Sequence, residues 1–181
     1  MSVTVWRIAT DTKDYEADDL SGAGAKKDGG RWNAPGEPVL YTSETQALAY
    51  LETVVHLSAG GLPLNRYLVA ITVPAVVWKR ARRDTPGSLP VGWDAEPSGR
   101  AGIRFGSAWI GSAASALLRI PSVIVPDEYN VLINPLHPDS KGITAVKVRK
   151  WLYDPRLTKR ADPPPTTARS ARTRSPRPPV R

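Results

Sequence analysis

A chain of 181 residues with an apolar fraction of 41% is long enough to bury one hydrophobic core and too apolar to be disordered throughout. It contains no cysteine and only two histidines, His56 and His137, which excludes disulfides and thiolate metal sites and leaves little material for a zinc centre. The net charge of +8 is uneven: residues 154–181 carry eight Lys/Arg against two Asp/Glu, and residues 1–153 carry seventeen against fifteen. The basic character therefore belongs to the C-terminal end rather than to a face of a domain, which argues against a nucleic-acid-binding module.

In chain order, "VTVWRI" reads as a strand by its β-branched alternation. Residues 11–30 mix acids, Gly and Lys and read as a short helix and loop. "PVLYT" reads as a strand. "SETQALAYLETVVHLS" is the clearest helix: Ser43 with Gln46 forms a capping box, and Ala47, Leu48, Leu51, Val54 and Val55 form its apolar face. "YLVAITV", "PSVIVP", "NVLIN" and "ITAVKVRKW" read as further strands, and "GSAWIGSAASALLR" as a second helix. The irregular interleaving predicts an α+β fold with a compact mixed sheet and flanking helices. No basic segment leads into an apolar core at the start, and the longest apolar run, 67–78, is broken by Pro74 and too short to span a bilayer. The sequence thus predicts no membrane association and a cytoplasmic location.

We divide the chain into a domain over 1–153 and a tail over 154–181. The tail, rich in Pro, Ser, Thr and Arg, cannot offset its ordering entropy and is expected to be disordered. It is either a solubilising extension or a loose electrostatic contact for nucleic acid or an acidic partner.

Candidate site residues carry competing readings. "SGAGAKK" lacks the lysine–hydroxyl pair of a phosphate-binding loop, so any nucleotide site must be built differently. In "KKDGGRWNAPGEPVLYTSE", Gly29 and Gly30 permit close backbone approach, and Arg31 offers a planar fork for phosphate or carboxylate. The alternative is a turn with a surface arginine. Tyr41 either stacks on a planar ligand or fills the core. Glu52 lies at the margin of the apolar helix face, as a border residue reaching water or as a partly desolvated group aimed into a cleft. His56, one turn on, orients Glu52, binds substrate or is structural. Ser122 has no paired base, and Asn134 and His137 sit in a proline-punctuated loop.

Taken together, "WRI", "GGRWNAPGEPVLYTSE", "ALAYLETVVHL" and "IPSVIVPDEYNVLINPLHPD" resemble the RES domain family in order and spacing, from about residue 5 to about residue 150. The residues that give that family its name fall here on Arg31, Glu52 and Ser122. The resemblance implies a fold similar to that of ADP-ribosyltransferases. It also implies the toxin of a bacterial type II toxin–antitoxin pair that depletes NAD+ by cleaving its nicotinamide–ribose bond. Hydrolysis and phosphorolysis both fit, and ADP-ribosyl transfer to a macromolecule is the alternative. NAD+ is then a substrate, with no cofactor or metal required. Glu52, Arg31 and Tyr41 are the catalytic expectations. Arg7, Gly30, Arg31, Tyr41, His56, Ser122 and Asn134 are the substrate-binding ones. The implied partner is a helix-turn-helix antitoxin of the Xre type, through which alone DNA is contacted, with a homodimer compatible with that complex.

Overall fold

The computed structural model describes residues 1–56, 63–154 and 156. The expectations for the tail beyond Arg156 and for the last residues of the "SETQALAYLETVVHLS" helix lie outside the described residues.

Seven strands form one mixed sheet in the order β4-β5-β6-β2-β1-β3-β7. These are β1 (Ser2–Thr10), β2 (Leu40–Ser43), β3 (Arg66–Pro74), β4 (Arg82–Arg83), β5 (Leu117–Pro121), β6 (Tyr129–Ile133) and β7 (Thr144–Trp151). Only β4 and β5 run parallel; every other neighbouring pair is antiparallel. The helices are α1 (Ala23–Asp28), α2 (Gln46–Val54), α3 (Ala75–Lys79) and α4 (Arg100–Ser112), with a 3-10 turn at Pro138–Gly142. The predicted α+β architecture is thus the one observed. Among the described residues no helix is long and apolar enough to cross a membrane.

Alternation along the strands builds two cores. Val5, Leu40, Val69, Ile71, Leu117, Val131 and Ile133 pack on one face of the sheet. Leu118, Ile120 and Leu132 face the other way and meet Trp32, Trp93 and Trp109. Tyr50 and Val54 of α2 lie over Ile8 and Leu68, where Tyr50 also stacks on Tyr153 at 5.6 Å.

One pairing decides where a cleft can open. β1 pairs with β3 along its whole length but with β2 only at Trp6 and Ser43. Beyond that point β1 and β2 part, and the sheet splits.

The structure corrects several sequence expectations. Helix α4 starts six residues before Gly106 and ends at Ser112, where Ala113 takes a left-handed φ of 47°. The "ALLR" predicted as helix instead supplies Leu117, Leu118 and Arg119 to β5. The strand expected over "PSVIVP" is displaced to Leu117–Pro121 because Ser122 turns the chain: its Oγ accepts from the Ile124 and Val125 amides at 3.0 and 3.1 Å. The cap of α2 is Thr45, whose Oγ1 accepts from the Leu48 amide at 3.0 Å, not Ser43. On α2 the buried residues are Leu48 and Ala49, while Ala47, Leu51 and Val55 are exposed. The helix has therefore turned so that Glu52, at the margin of the predicted apolar face, lies against the sheet.

Candidate functional site

Where β1 and β2 separate, a cleft of about 1270 Å³ opens. Arg7, Gly30, Arg31, Tyr41, Glu52 and His56 all line it, so six of the sequence-predicted site residues converge on one place.

Glu52 is positioned by the strand ends below α2. Its Oε1 accepts from Ser122 Oγ at 2.8 Å and from Asn130 Nδ2. Asn130 is oriented in turn by Ser43, whose Oγ donates to its Oδ1 at 2.7 Å, and the two residues are direct partners across β2 and β6. Both contacts fall on Oε1, so Oε2 has no protein partner among the described residues. The result is a carboxylate fixed at one oxygen and unengaged at the other. Its orientation comes from Ser122 and Asn130, not from His56, which is exposed at the end of α2.

Ser122 is itself completely buried and does not line the cleft. The expectation that it touches substrate gives way to a positioning contact on Glu52, because its hydroxyl is spent on that carboxylate and on the turn. Asn134 is also completely buried, with Nδ2 on the Ile110 carbonyl at 3.2 Å and Oδ1 accepting from the Leu136 amide at 3.0 Å. It ties the loop after β6 to α4 and does not reach the cleft, so the expectation of a substrate contact at Asn134 is corrected.

Arg31 projects from a loop held on every side. Its Nη1 donates to the carbonyls of Trp93 and Ala95 at 3.2 and 2.8 Å, and its Nη2 to Glu96 Oε2 at 3.1 Å. The carbonyl contacts anchor the 93–98 segment beside the cleft, whose wall includes Glu96, Pro97 and Ser98. The Glu96 side chain is 80% exposed, and an ion pair so open to water contributes about 0–1 kcal/mol. That contact is the exchangeable one.

The loop itself is clamped by Asn33, fully buried, whose Nδ2 donates to the Ala25 and Glu37 carbonyls, both at 2.9 Å. The Tyr41 hydroxyl donates to Asn33 Oδ1 at 2.8 Å and accepts from the Trp32 amide at 3.0 Å. A Cβ on Gly30 would lie 2.5 Å from that hydroxyl, so this glycine clears Tyr41 as well as bordering the cleft. Gly29 is the residue that takes a positive φ, 74°, as it ends α1.

Burial pushes the Tyr41 phenol up from its ordinary value of 10.0, which keeps the hydroxyl a donor. In the unfolded chain the same group ionises at its ordinary value. Its contribution to stability is therefore complete below about pH 10 and is lost as pH rises toward the folded-state value. Tyr41→Phe is expected to lower stability near neutrality by about 1–2 kcal/mol through the lost hydrogen bonds. It should also flatten the alkaline decline seen in melting temperature across about pH 9–11. Parallel wild-type and variant curves over that range would contradict the assignment.

Three of these residues were not visible as site residues in the sequence: Asn130, Ser43 and Asn33. Asn130 and Asn134 are four apart along one strand pattern, and only the pairing of β2 with β6 shows which of them meets Glu52.

The family described as RES domain matches residues 4–156. The chain is 65% identical over 161 residues, 89% of its length, to the whole of a protein of Sphingobium sp. (strain YBL2) named Prs ADP-ribosylating toxin. It is 37% identical over 140 residues to a Toxin Res of Photorhabdus laumondii, covering 77% of this chain and 88% of that one. It is 31% identical over 144 residues to a Toxin Res of Yersinia enterocolitica, covering 79% and 93% respectively. With a match that runs over most of the chain and includes every cleft residue, the chain belongs to the RES domain family.

Proposed function

We propose that the chain is a toxin that cleaves the nicotinamide–ribose bond of NAD+ and passes the ADP-ribosyl group to a macromolecular acceptor. The observation that carries this reading is the Glu52 carboxylate, fixed through Oε1 and unengaged at Oε2, in a cleft of about 1270 Å³. That volume exceeds the ordinary small-ligand range of about 300–1,000 Å³ and suits a dinucleotide. The name of the 65% identical Sphingobium relative favours transfer over release of free ADP-ribose.

As the glycosidic bond lengthens, positive charge develops on the ribose as an oxocarbenium-like centre. Glu52 Oε2 stabilises that charge directly or through the ribose hydroxyls, and its fixed position spares reorganisation during the step. Nicotinamide leaves with the bonding electron pair as a neutral molecule. The acceptor nucleophile then bonds to the ribose C1′ and gives up a proton, for which Glu52 is the nearest base in the reading. The ring of Tyr41 lines the cleft as a stacking surface for the cationic nicotinamide. Arg31 exchanges Glu96 for a phosphate oxygen, and His56 borders the substrate at the cleft rim. Ser122 acts only through Glu52.

The same chemistry with water or inorganic phosphate as acceptor gives NAD+ hydrolysis or phosphorolysis, as the family resemblance implies. Incubation with adenylate-labelled NAD+, cell extract and graded phosphate separates these outcomes. Label bound to macromolecules is the expected result. Label confined to small molecules at every phosphate concentration would replace transfer with NAD+ destruction.

Family membership supports a helix-turn-helix antitoxin of the Xre type as partner, bringing DNA to the complex only through that protein. We also retain a homodimer as compatible with such a complex. Co-purification with the product of an adjacent small helix-turn-helix gene, accompanied by loss of activity, is the expected behaviour.

A further inference from the structure

Arg66 opens β3 and reads in sequence as an ordinary flank to the apolar run that follows. In the structure it lines the cleft, and its Nε is buried with no hydrogen-bond partner among the described residues. A buried cationic donor left without a partner is costly and uncommon. Its cross-strand neighbours Thr10 and Trp151 repeat the pattern, with Thr10 Oγ1 and Trp151 Nε1 also buried and unpartnered. Three strands thus hold unused polar atoms at one level of the sheet.

Arg7 lines the same cleft. Among the described residues its guanidinium makes one bond, from Nη1 to the Asp19 carbonyl at 3.4 Å, a length near the limit of a hydrogen bond. The Asp19 carboxylate is turned elsewhere, accepting from the Ser21 amide at 3.1 Å and from the Ser21 hydroxyl. Burial lowers the Arg7 pKa and the Arg66 charge adds to that effect, opposed by Asp19 and Tyr15. Neither arginine forms an ion pair among the described residues, and alternation along the paired strands puts Arg7 on the face of Val69 and Arg66 on the opposite face with Leu68. Arg31, by contrast, has its donors on Trp93, Ala95 and Glu96.

We infer that Arg66 is a substrate-binding residue of the cleft and takes the diphosphate of the dinucleotide. This rests on the NAD+ reading above. Unspent guanidinium donors match phosphate oxygens in charge and in geometry. Arg31 then adds a phosphate contact through Nη2 while its Nη1 holds the 93–98 segment beside the cleft.

The test is calorimetric titration of wild type, Arg66→Met and Arg66→Lys with ADP-ribose and, separately, with nicotinamide. Methionine keeps the length and apolar stem while removing the donors. It should weaken ADP-ribose binding about tenfold or more and leave nicotinamide binding unchanged. In turnover, KM for NAD+ should rise while kcat stays near the wild-type value. Equal ADP-ribose affinity in Arg66→Met and wild type would overturn the assignment and leave the NAD+ reading standing. A wild-type protein that binds neither ADP-ribose nor NAD+ would overturn both. Should the methionine variant fail to fold, Arg66→Lys decides: lysine loses the two-pronged contact, so unchanged ADP-ribose affinity in that variant overturns the assignment.

Discussion

Glu52→Gln is expected to lower turnover of NAD+ by about 10²–10³-fold, the scale of loss when a preorganised electrostatic contact to a transition state is removed. The substitution isolates charge from shape. The glutamine Oε1 still accepts from Ser122 and Asn130, the two contacts that seat the carboxylate in the native protein. Only the unengaged oxygen becomes an amide, which cannot stabilise positive charge on ribose. Folding should therefore be preserved, with kcat falling far more than KM rises, because charge on the ribose appears in the transition state and not in the bound substrate. A folded Glu52→Gln protein that turns over NAD+ at the wild-type rate would remove Glu52 from the mechanism.

Gly106→Ala is expected to be the most damaging single methyl addition outside the cleft. Helix α4 presents Gly102 and Gly106, one turn apart, to the backbone of the Arg31 loop. A Cβ on Gly102 would lie 2.6 Å from the Arg31 carbonyl, and one on Gly106 would overlap the Trp32 carbonyl. Backbone cannot swing aside as a side chain can, so the helix and loop must separate. Trp32 is stacked on Trp93 at 6.2 Å and edge-on to Phe105 at 5.9 Å, so separation also disturbs that aromatic cluster. Overpacking of this kind costs roughly 3 kcal/mol or more, read as a lowered denaturation midpoint. It should also reduce activity, since the same loop carries Arg31 and meets Tyr41. Gly111→Ala is the internal control. Nothing lies within 4 Å of its Cβ, and the gain in helix propensity should stabilise by about 0.5–1 kcal/mol. Equal effects of the two alanines would contradict the seating of the loop on α4.

How much of this was legible in the sequence follows from which interactions are local. The strands β1, β3, β6 and β7 and the body of α2 show themselves through alternation and helical spacing, which depend on residues a few positions apart. Four motifs in order made the family resemblance readable, and with it Arg31, Tyr41 and Glu52. The roles of Ser122 and Asn130 were not readable, because each is defined by a partner far along the chain. Ser122 meets Glu52 70 residues away, and Asn130 meets it 78 residues away. Nothing local marks the glycines at 102 and 106, and only the fold shows a loop backbone lying against them. The expected apolar face of α2 failed for the same reason. Spacing identifies a set of apolar positions, but the contact with β1 and β2 fixes which side of the helix turns inward.

The central claim is that this cleft breaks the nicotinamide–ribose bond through Glu52. Direct measurement of free nicotinamide, from purified protein incubated with NAD+ and cell extract, tests it without presupposing the acceptor. Nicotinamide release by the wild type and its near absence in the folded Glu52→Gln variant are the expected results. No nicotinamide above background from folded wild type, or equal release by the two proteins, would contradict it.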